Sequence, residues 1–227
     1  EYVADGKADF AVLPIENSTV GIVSEIYDLL VEFENVIVGE QIIPINHCLL
    51  GVPGAALSDI RKVYSHPQSL MQTEQFLNTH PDWEQIKMQN NAFAARKVSE
   101  DNDKTQAAIA SEYSAKRYGL TILQRGIHQC SDNATRFIVI SRQKPTAGNR
   151  FSLLFTVDNK PGKLGEVIQI IGASGFNMES IKSRPMPHVP FEYYFYVELV
   201  GDPTADETGA LLHELDRTCR TVRLLGV

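Results

Sequence analysis

The chain has 227 residues, 43% of them hydrophobic and 22% charged, with a net charge of −7. That length accommodates a large and a smaller domain, and the composition is that of a soluble globular protein rather than a disordered or fibrous one. No apolar run approaches the roughly 18 residues that cross a membrane, and no cluster of Lys and Arg is available to neutralise phosphates. A membrane and a nucleic acid are therefore both excluded as expected partners.

The first residues, Glu1 to Lys7, carry neither an initiator Met nor a targeting pattern, and a strand-like run begins at Asp9, so the start reads as truncated. Ile22, Ile26, Leu29, Leu30 and Phe33 then recur at helical spacing, followed by β-rich runs at Val36 to Ile45 and His47 to Val52. A short strand around Lys62 to Tyr64 leads into a helix opened by Pro67, a residue suited to the first helical turn. Helices near Ala92 to Ser99 and Glu112 to Tyr118 alternate with strands near Ala107 to Ala110, Thr121 to Leu123 and Arg136 to Ser141. Such alternation predicts an α/β domain with a largely parallel sheet over residues 1–142. The polar stretch 143–150, which contains Pro145 and Gly148, reads as a linker. Beyond it the order is strand (Phe151 to Val157), helix (Leu164 to Ser174), strand (Met178 to Ser183), strand (Tyr193 to Val200), helix (Ala205 to Cys219) and strand (Val222 to Leu225). This is βαββαβ, the ferredoxin-like order, over residues 151–227.

Chemistry-bearing side chains gather at turns between elements. The three cysteines, Cys48, Cys130 and Cys219, form no CxxC pair, and the six histidines show no HxxxH or HExxH spacing. The expectation is a reduced, cytoplasmic protein with no metal and no cofactor. Three polar clusters remain. Asn17, Ser18 and Thr19 follow the first strand and suit either a substrate carboxylate or a helix cap. Ser65, Gln68 and Gln72 sit at a second strand-to-helix junction, where the two glutamines, four apart, share a helix face. Thr135, Arg136 and Phe137 open a later strand, and Arg136 could clamp a carboxylate through its guanidinium fork. Each cluster alone also has an ordinary structural explanation.

Together and in this order, the segments Ile15-Glu-Asn-Ser18, Tyr64-Ser-His-Pro-Gln68 and Thr135-Arg-Phe137 resemble prephenate dehydratase. The resemblance covers nearly the whole chain and implies a two-lobed catalytic domain like the periplasmic binding proteins, with an ACT regulatory domain after it. It implies conversion of prephenate to phenylpyruvate with loss of carbon dioxide and water, in phenylalanine biosynthesis. Carried over by motif, Thr135 corresponds to the essential threonine, and Asn17, Ser65, Gln72 and Arg136 fall on positions implicated in activity or substrate binding, with Ser18, Thr19, Gln68 and Phe137 as neighbours. The family places a Gly-rich, Phe-Ser-containing segment ahead of the point where this chain starts, so the 227 residues alone are expected to be inactive or incomplete.

The second half is similar to ACT modules, which bind effectors such as L-phenylalanine between paired subunits; a homodimer or homotetramer is implied. The effector loop is matched by Asn159, Pro161, Gly162, Lys163 and Leu164, with Asn177, Met178, Ser183 and Arg184 on the following strand. Two positions depart from the family pattern: Lys163 stands where Ala is usual, and Lys182 where the Glu of Glu-Ser-Arg-Pro is usual. The alternatives are arogenate dehydratase, which uses the same machinery on the amino-acid analogue, and a non-catalytic protein that senses an amino acid or keto acid. The parent protein could also carry a chorismate mutase segment.

Overall fold

The computed structural model describes residues 1–130, 132–143, 147–186 and 189–227. They form two compact units, Glu1–Ile43 with Thr135–Val227, and Pro44–Ala134. The chain opens with β1 (Phe10–Asn17), β2 (Gly21–Ile22), α1 (Ser24–Glu32) and β3 (Val36–Pro44), which leads out of the first unit. Ile26, Tyr27 and Leu30 are the buried residues of α1; their three- and four-residue spacing gives the helix one apolar face.

The second unit holds β4 (Cys48–Gly51), β5 (Lys62–Ser65), α2 (Pro67–Gln72), α3 (Glu74–Asn78), β6 (Glu84–Lys87), α4 (Asn91–Asp101), β7 (Gln106–Ala110), α5 (Glu112–Tyr118) and β8 (Thr121–Gln124). Its five-stranded sheet runs β6-β5-β7-β4-β8. Within it β5 is parallel to β6 and β7, and β4 is antiparallel to β7 and β8. Every residue of β4, and Ala107 to Ala110 of β7, is buried, which is why both read as continuous apolar runs rather than alternating ones. The small side chains of Ala108 and Ala110 let α4 pack closely through Ala94, Ala95 and Val98.

The first unit is completed by β9 (Ala134–Ser141), β10 (Arg150–Thr156), α6 (Lys163–Ala173), β11 (Asn177–Pro185), β12 (Tyr193–Val200), α7 (Asp206–Thr218) and β13 (Thr221–Gly226). Its eight-stranded sheet has the order β11-β12-β10-β13-β3-β9-β1-β2. Phe151, Leu153 and Phe155 of β10 turn one way, into a core with Val167 and Ile171 of α6 and Leu211 and Leu215 of α7. On the other face Tyr196 and Leu225 join α1 in a core with Ile15, Ile37 and Ile138. The βαββαβ segment and the strands that begin the chain thus share one compact unit, and the chain crosses between units at Ile43–Pro44 and Ala134–Thr135.

The parallel sheet expected from sequence is corrected to a mixed one. In the larger sheet every described pairing is antiparallel except β13 with β3. A single crossover helix forces its two strands to run parallel, but β1 and β9 are joined by the entire second unit and are free to run opposite ways. Among the described residues no helix is long and apolar enough to cross a membrane.

Candidate functional site

Thr135 is the first residue of the chain after it returns to the first unit. There β9 meets β1 in antiparallel register, with Asn17 opposite Thr135 and Glu16 opposite Arg136, just past an irregularity between Pro14 and Glu16. The Asn17 side chain donates from Nδ2 to the Thr135 hydroxyl oxygen at 3.0 Å. Its other end is fixed: Oδ1 accepts from the Thr19 hydroxyl at 2.7 Å and from the backbone N–H groups of Thr19 and Val20, each at 3.1 Å. Three donors on Oδ1 determine which way the carboxamide faces. The Thr135 oxygen therefore accepts from Asn17, and its own proton is the part of the hydroxyl left for donation. Ser18 is exposed and follows in the same turn. The cluster does not cap α1, whose N-cap is Val23.

The second unit assembles the Tyr64-to-Gln72 segment around Asn91. The buried Ser65 hydroxyl lies 2.8 Å from the Ile109 carbonyl and 2.9 Å from Asn91 Oδ1. Asn91 Oδ1 also accepts the His66 N–H at 3.0 Å, and its Nδ2 donates to the Ser69 hydroxyl at 2.8 Å. His66 caps α2 by accepting the Gln68 N–H at 3.2 Å, with Pro67 in the first turn. One turn beyond Gln68, Gln72 Oε1 is 2.9 Å from Nε2 of His47, a residue only 4% exposed. Burial lowers the His47 pKa below its ordinary 6.5 despite the opposing Gln72 bond. As a neutral ring it donates from Nε2 to the Gln72 carbonyl oxygen.

Arg136 differs from expectation. Alternation along β9 sends its side chain to the face opposite Thr135, where its guanidinium meets Glu198 at 2.5 and 3.2 Å, Glu16 at 2.8 Å and Glu40 at 3.2 Å. Burial alone would lower its pKa, but the bonds and charges of Glu198 and Glu40 outweigh that and hold it above the ordinary arginine value. The fork expected to hold a substrate carboxylate is occupied by the protein's own. Phe137, half-buried, pairs with Pro14 on the Thr135 face.

Residues 1–145 match the family model described as prephenate dehydratase. The chain belongs to the prephenate dehydratase family. It is 33% identical over 230 residues to the bifunctional chorismate mutase/prephenate dehydratase of Enterobacter agglomerans, covering 100% of this chain and 59% of that one. It thus spans about three-fifths of the length of the curated relatives it matches. Among solved structures, the prephenate dehydratase of Arthrobacter aurescens in complex with L-Phe is 30% identical with a TM-score of 0.87, covering 99% of this chain and 76% of that one. A protein named GqqA, a novel type of quorum quenching acylase, is 33% identical with a TM-score of 0.87, covering 99% and 83%.

Of the dehydratase residues expected from sequence, the structure joins Asn17, Thr19 and Thr135 in one cluster, and Ser65, Gln68 and Gln72 on one strand-to-helix segment. His47 and Asn91 were not anticipated. Asn91 follows Asn90 at the start of α4 and reads as part of a cap; Asn90 is the cap, accepting the Phe93 N–H, and Asn91 faces the segment above. His47 gave no signal beyond lying in an apolar run.

In the βαββαβ half, Gly162 takes φ +84 and is the N-cap of α6, a left-handed conformation that glycine adopts at no steric cost. Asn159 and Leu164 line a cavity of about 230 Å³ with Asp158, Phe191, Tyr193 and Phe195. Pro161 belongs to the same loop, and Lys163, the first residue of α6, pairs with Glu166 at 2.7 Å. Arg184 bonds Asp28 at 2.6 and 3.2 Å, and Ser183 precedes it on β11. Thr156, Tyr194 and Arg184 are successive neighbours across the sheet, whereas Asn177 neighbours Val200 and so Arg150. Asn177 and Met178 therefore lie at the end of β11 away from the loop, about 20 Å from it at the rise of a strand, and one chain does not join the two groups.

Proposed function

We propose that the chain carries prephenate dehydratase activity and converts prephenate to phenylpyruvate. The carrying observation is the Asn17–Thr135 pair, held in cross-strand register inside the matched family segment. In this reaction the carboxylate on the prephenate ring leaves as carbon dioxide. The electrons of that carbon–carbon bond complete the aromatic ring, and the ring hydroxyl departs with a proton as water. Aromatisation drives the step, so the protein needs chiefly to orient the leaving groups and deliver a proton. Thr135, whose oxygen already accepts from Asn17, donates its hydroxyl hydrogen to the departing oxygen and relays a proton from water, since an unassisted threonine is too weak an acid. In the first unit Ser18 and Thr19, with Phe137 nearby on β9, and in the second Gln68 and Gln72, are neutral groups suited to a substrate carboxylate, and Ser65 supports the second segment through Asn91 and the Ile109 carbonyl.

The test is phenylpyruvate formation by the full-length protein. Thr135→Ala should lower turnover by at least about a hundredfold, the lower range of general-acid effects, while Thr135→Ser retains most of it. Near-normal turnover by the alanine variant would sink the assignment. A parallel assay with arogenate reads the substrate preference. The acylase chemistry of the second structural neighbour is less well supported, because a hydroxyl nucleophile needs a base to take its proton and the partner of Thr135 is an amide that donates.

The βαββαβ half is read as an ACT domain that binds L-phenylalanine, supported by the complex named for the Arthrobacter aurescens relative and by the cavity at Asn159 and Leu164. β11 is an end strand of its sheet. Antiparallel pairing of two copies along that edge would bring Asn177 and Met178 of one toward the loop of the other, which is why a homodimer is the smallest assembly proposed. A biosynthetic role like that of the relatives supports a cytoplasmic location.

A further inference from the structure

Thr135 and Asn17 each have a chain neighbour whose side chain leaves by the opposite face, Arg136 and Glu16. Those two residues do not stop at each other. Glu16 Oε2 accepts from Arg136 at 2.8 Å and from the Lys182 ammonium at 3.0 Å, and the same ammonium donates to the Tyr27 hydroxyl at 3.0 Å. The fork of Arg136 holds both oxygens of Glu198, whose Oε2 also accepts the Ser180 hydroxyl at 2.5 Å. Lys182 and Ser180 are on β11 and Glu198 on β12. All this lies within one compact unit.

The centre of the cluster is largely withdrawn from water, while the Glu16 and Glu40 side chains keep 33% and 26% of their surface exposed. The side chains of Arg136, Glu198 and Lys182 are 14%, 10% and 15% exposed, so a charge left without its partner there cannot simply be resolvated. Three cations, Arg136, Lys182 and, at 3.8 Å from Glu40, Arg150, face three carboxylates, Glu16, Glu40 and Glu198. Removing Lys182 leaves three anions to two guanidiniums, and Glu16 is the carboxylate that loses a contact. The Glu usual in this motif would repel Glu16 outright. Lys182 is thus matched to this chain's own Glu16.

We propose that Lys182 and Glu198 are positioning residues for the Thr135–Asn17 pair, acting through Glu16 and Arg136 across the β1–β9 register. This rests on the dehydratase reading for its kinetic consequence. The Glu16–Arg136 pair fixes β1 against β9 immediately after the irregularity at Pro14–Glu16, and that alignment sets Asn17 opposite Thr135. Lys182 stands next to Ser183 and Arg184, so a ligand that shifts this end of β11 would move the same lock.

The decisive experiment compares Lys182→Met, Lys182→Arg and Glu198→Gln in the full-length protein. Misplacing a catalytic hydroxyl by about an ångström costs up to about a hundredfold. The expected result is a kcat lowered about ten- to a hundredfold in Lys182→Met and Glu198→Gln with little change in KM, most of the turnover restored in Lys182→Arg, and no further loss when Lys182→Met is added to Thr135→Ala. The side-chain amide resonances of Asn17 supply a readout independent of turnover: their protection from solvent exchange should fall in Lys182→Met and return in Lys182→Arg. Unchanged kcat with unchanged Asn17 protection would overturn the proposal, as would equal losses in the Met and Arg variants. A wild type that forms no phenylpyruvate but shows the Asn17 pattern defeats the dehydratase reading and leaves the positioning intact. Should Lys182→Met fail to fold, Glu198→Gln, nearly isosteric, decides by the same two readouts.

Discussion

At Thr135 the decisive physical fact is the direction of a hydrogen bond. Three donors hold the Asn17 Oδ1, so its Nδ2 must serve the threonine, and the hydroxyl is pre-set as a donor. At Gln72 the corresponding device is a buried neutral histidine. Because burial depresses the pKa of His47 in the folded protein, the unfolded chain binds the extra proton more readily. Stability is then full above about pH 6.5 and declines as pH falls from there toward the folded-state value. Urea unfolding between pH 8 and pH 5 should show this decline, and His47→Gln should flatten it; an unchanged slope in the variant would place the titration elsewhere. Its partner Gln72 lies 25 residues away in sequence, so His47 could not be singled out from the chain alone. Thr135, Asn17 and Gln72 could, because each sits in a short motif whose order along the chain carries the information.

The elements were legible in proportion to how locally they are determined. β12 follows its run of aromatic and β-branched residues, and α2 starts at the Pro67 that favours a first helical turn. β6, Glu84–Lys87, was missed: its four residues include one apolar side chain, and it is a strand because β5 offers it a parallel partner. The join between β13 and β3 is similarly non-local. Gly226 takes φ +112, and a Cβ there would stand 2.0 Å from the Ile37 carbonyl oxygen, at the residue paired with Ile37. Gly226→Ala should therefore pry β13 from β3. The backbone strain alone amounts to about 1–3 kcal/mol, to be read from the denaturation midpoint; a midpoint within error of wild type would mean that the strands part without cost.

For the molecule as a whole, the effector reading makes a linkage prediction. A ligand that binds only the folded state at a hundred times its dissociation constant adds about 2.7 kcal/mol, which raises the melting temperature by several degrees. L-Phenylalanine should produce such a shift, and Asn159→Ala, at the wall of the cavity, should reduce it. No shift at millimolar L-phenylalanine would remove it as effector.

The sequence by itself determined the family resemblance, the order of most of the elements and which residues form the Asn17, Gln72 and Thr135 motifs, because these are recorded in short runs of residues. Only the tertiary structure decided that the sheets are mixed, that β1 and β9 run antiparallel, and that Arg136 pairs with Glu16, Glu40 and Glu198. The physical reason is the same for all three. Strand direction and ion pairing are settled between residues up to 166 positions apart, as Lys182 and Glu16 are, and the partner of a buried charge is chosen by whatever folding brings within reach of it.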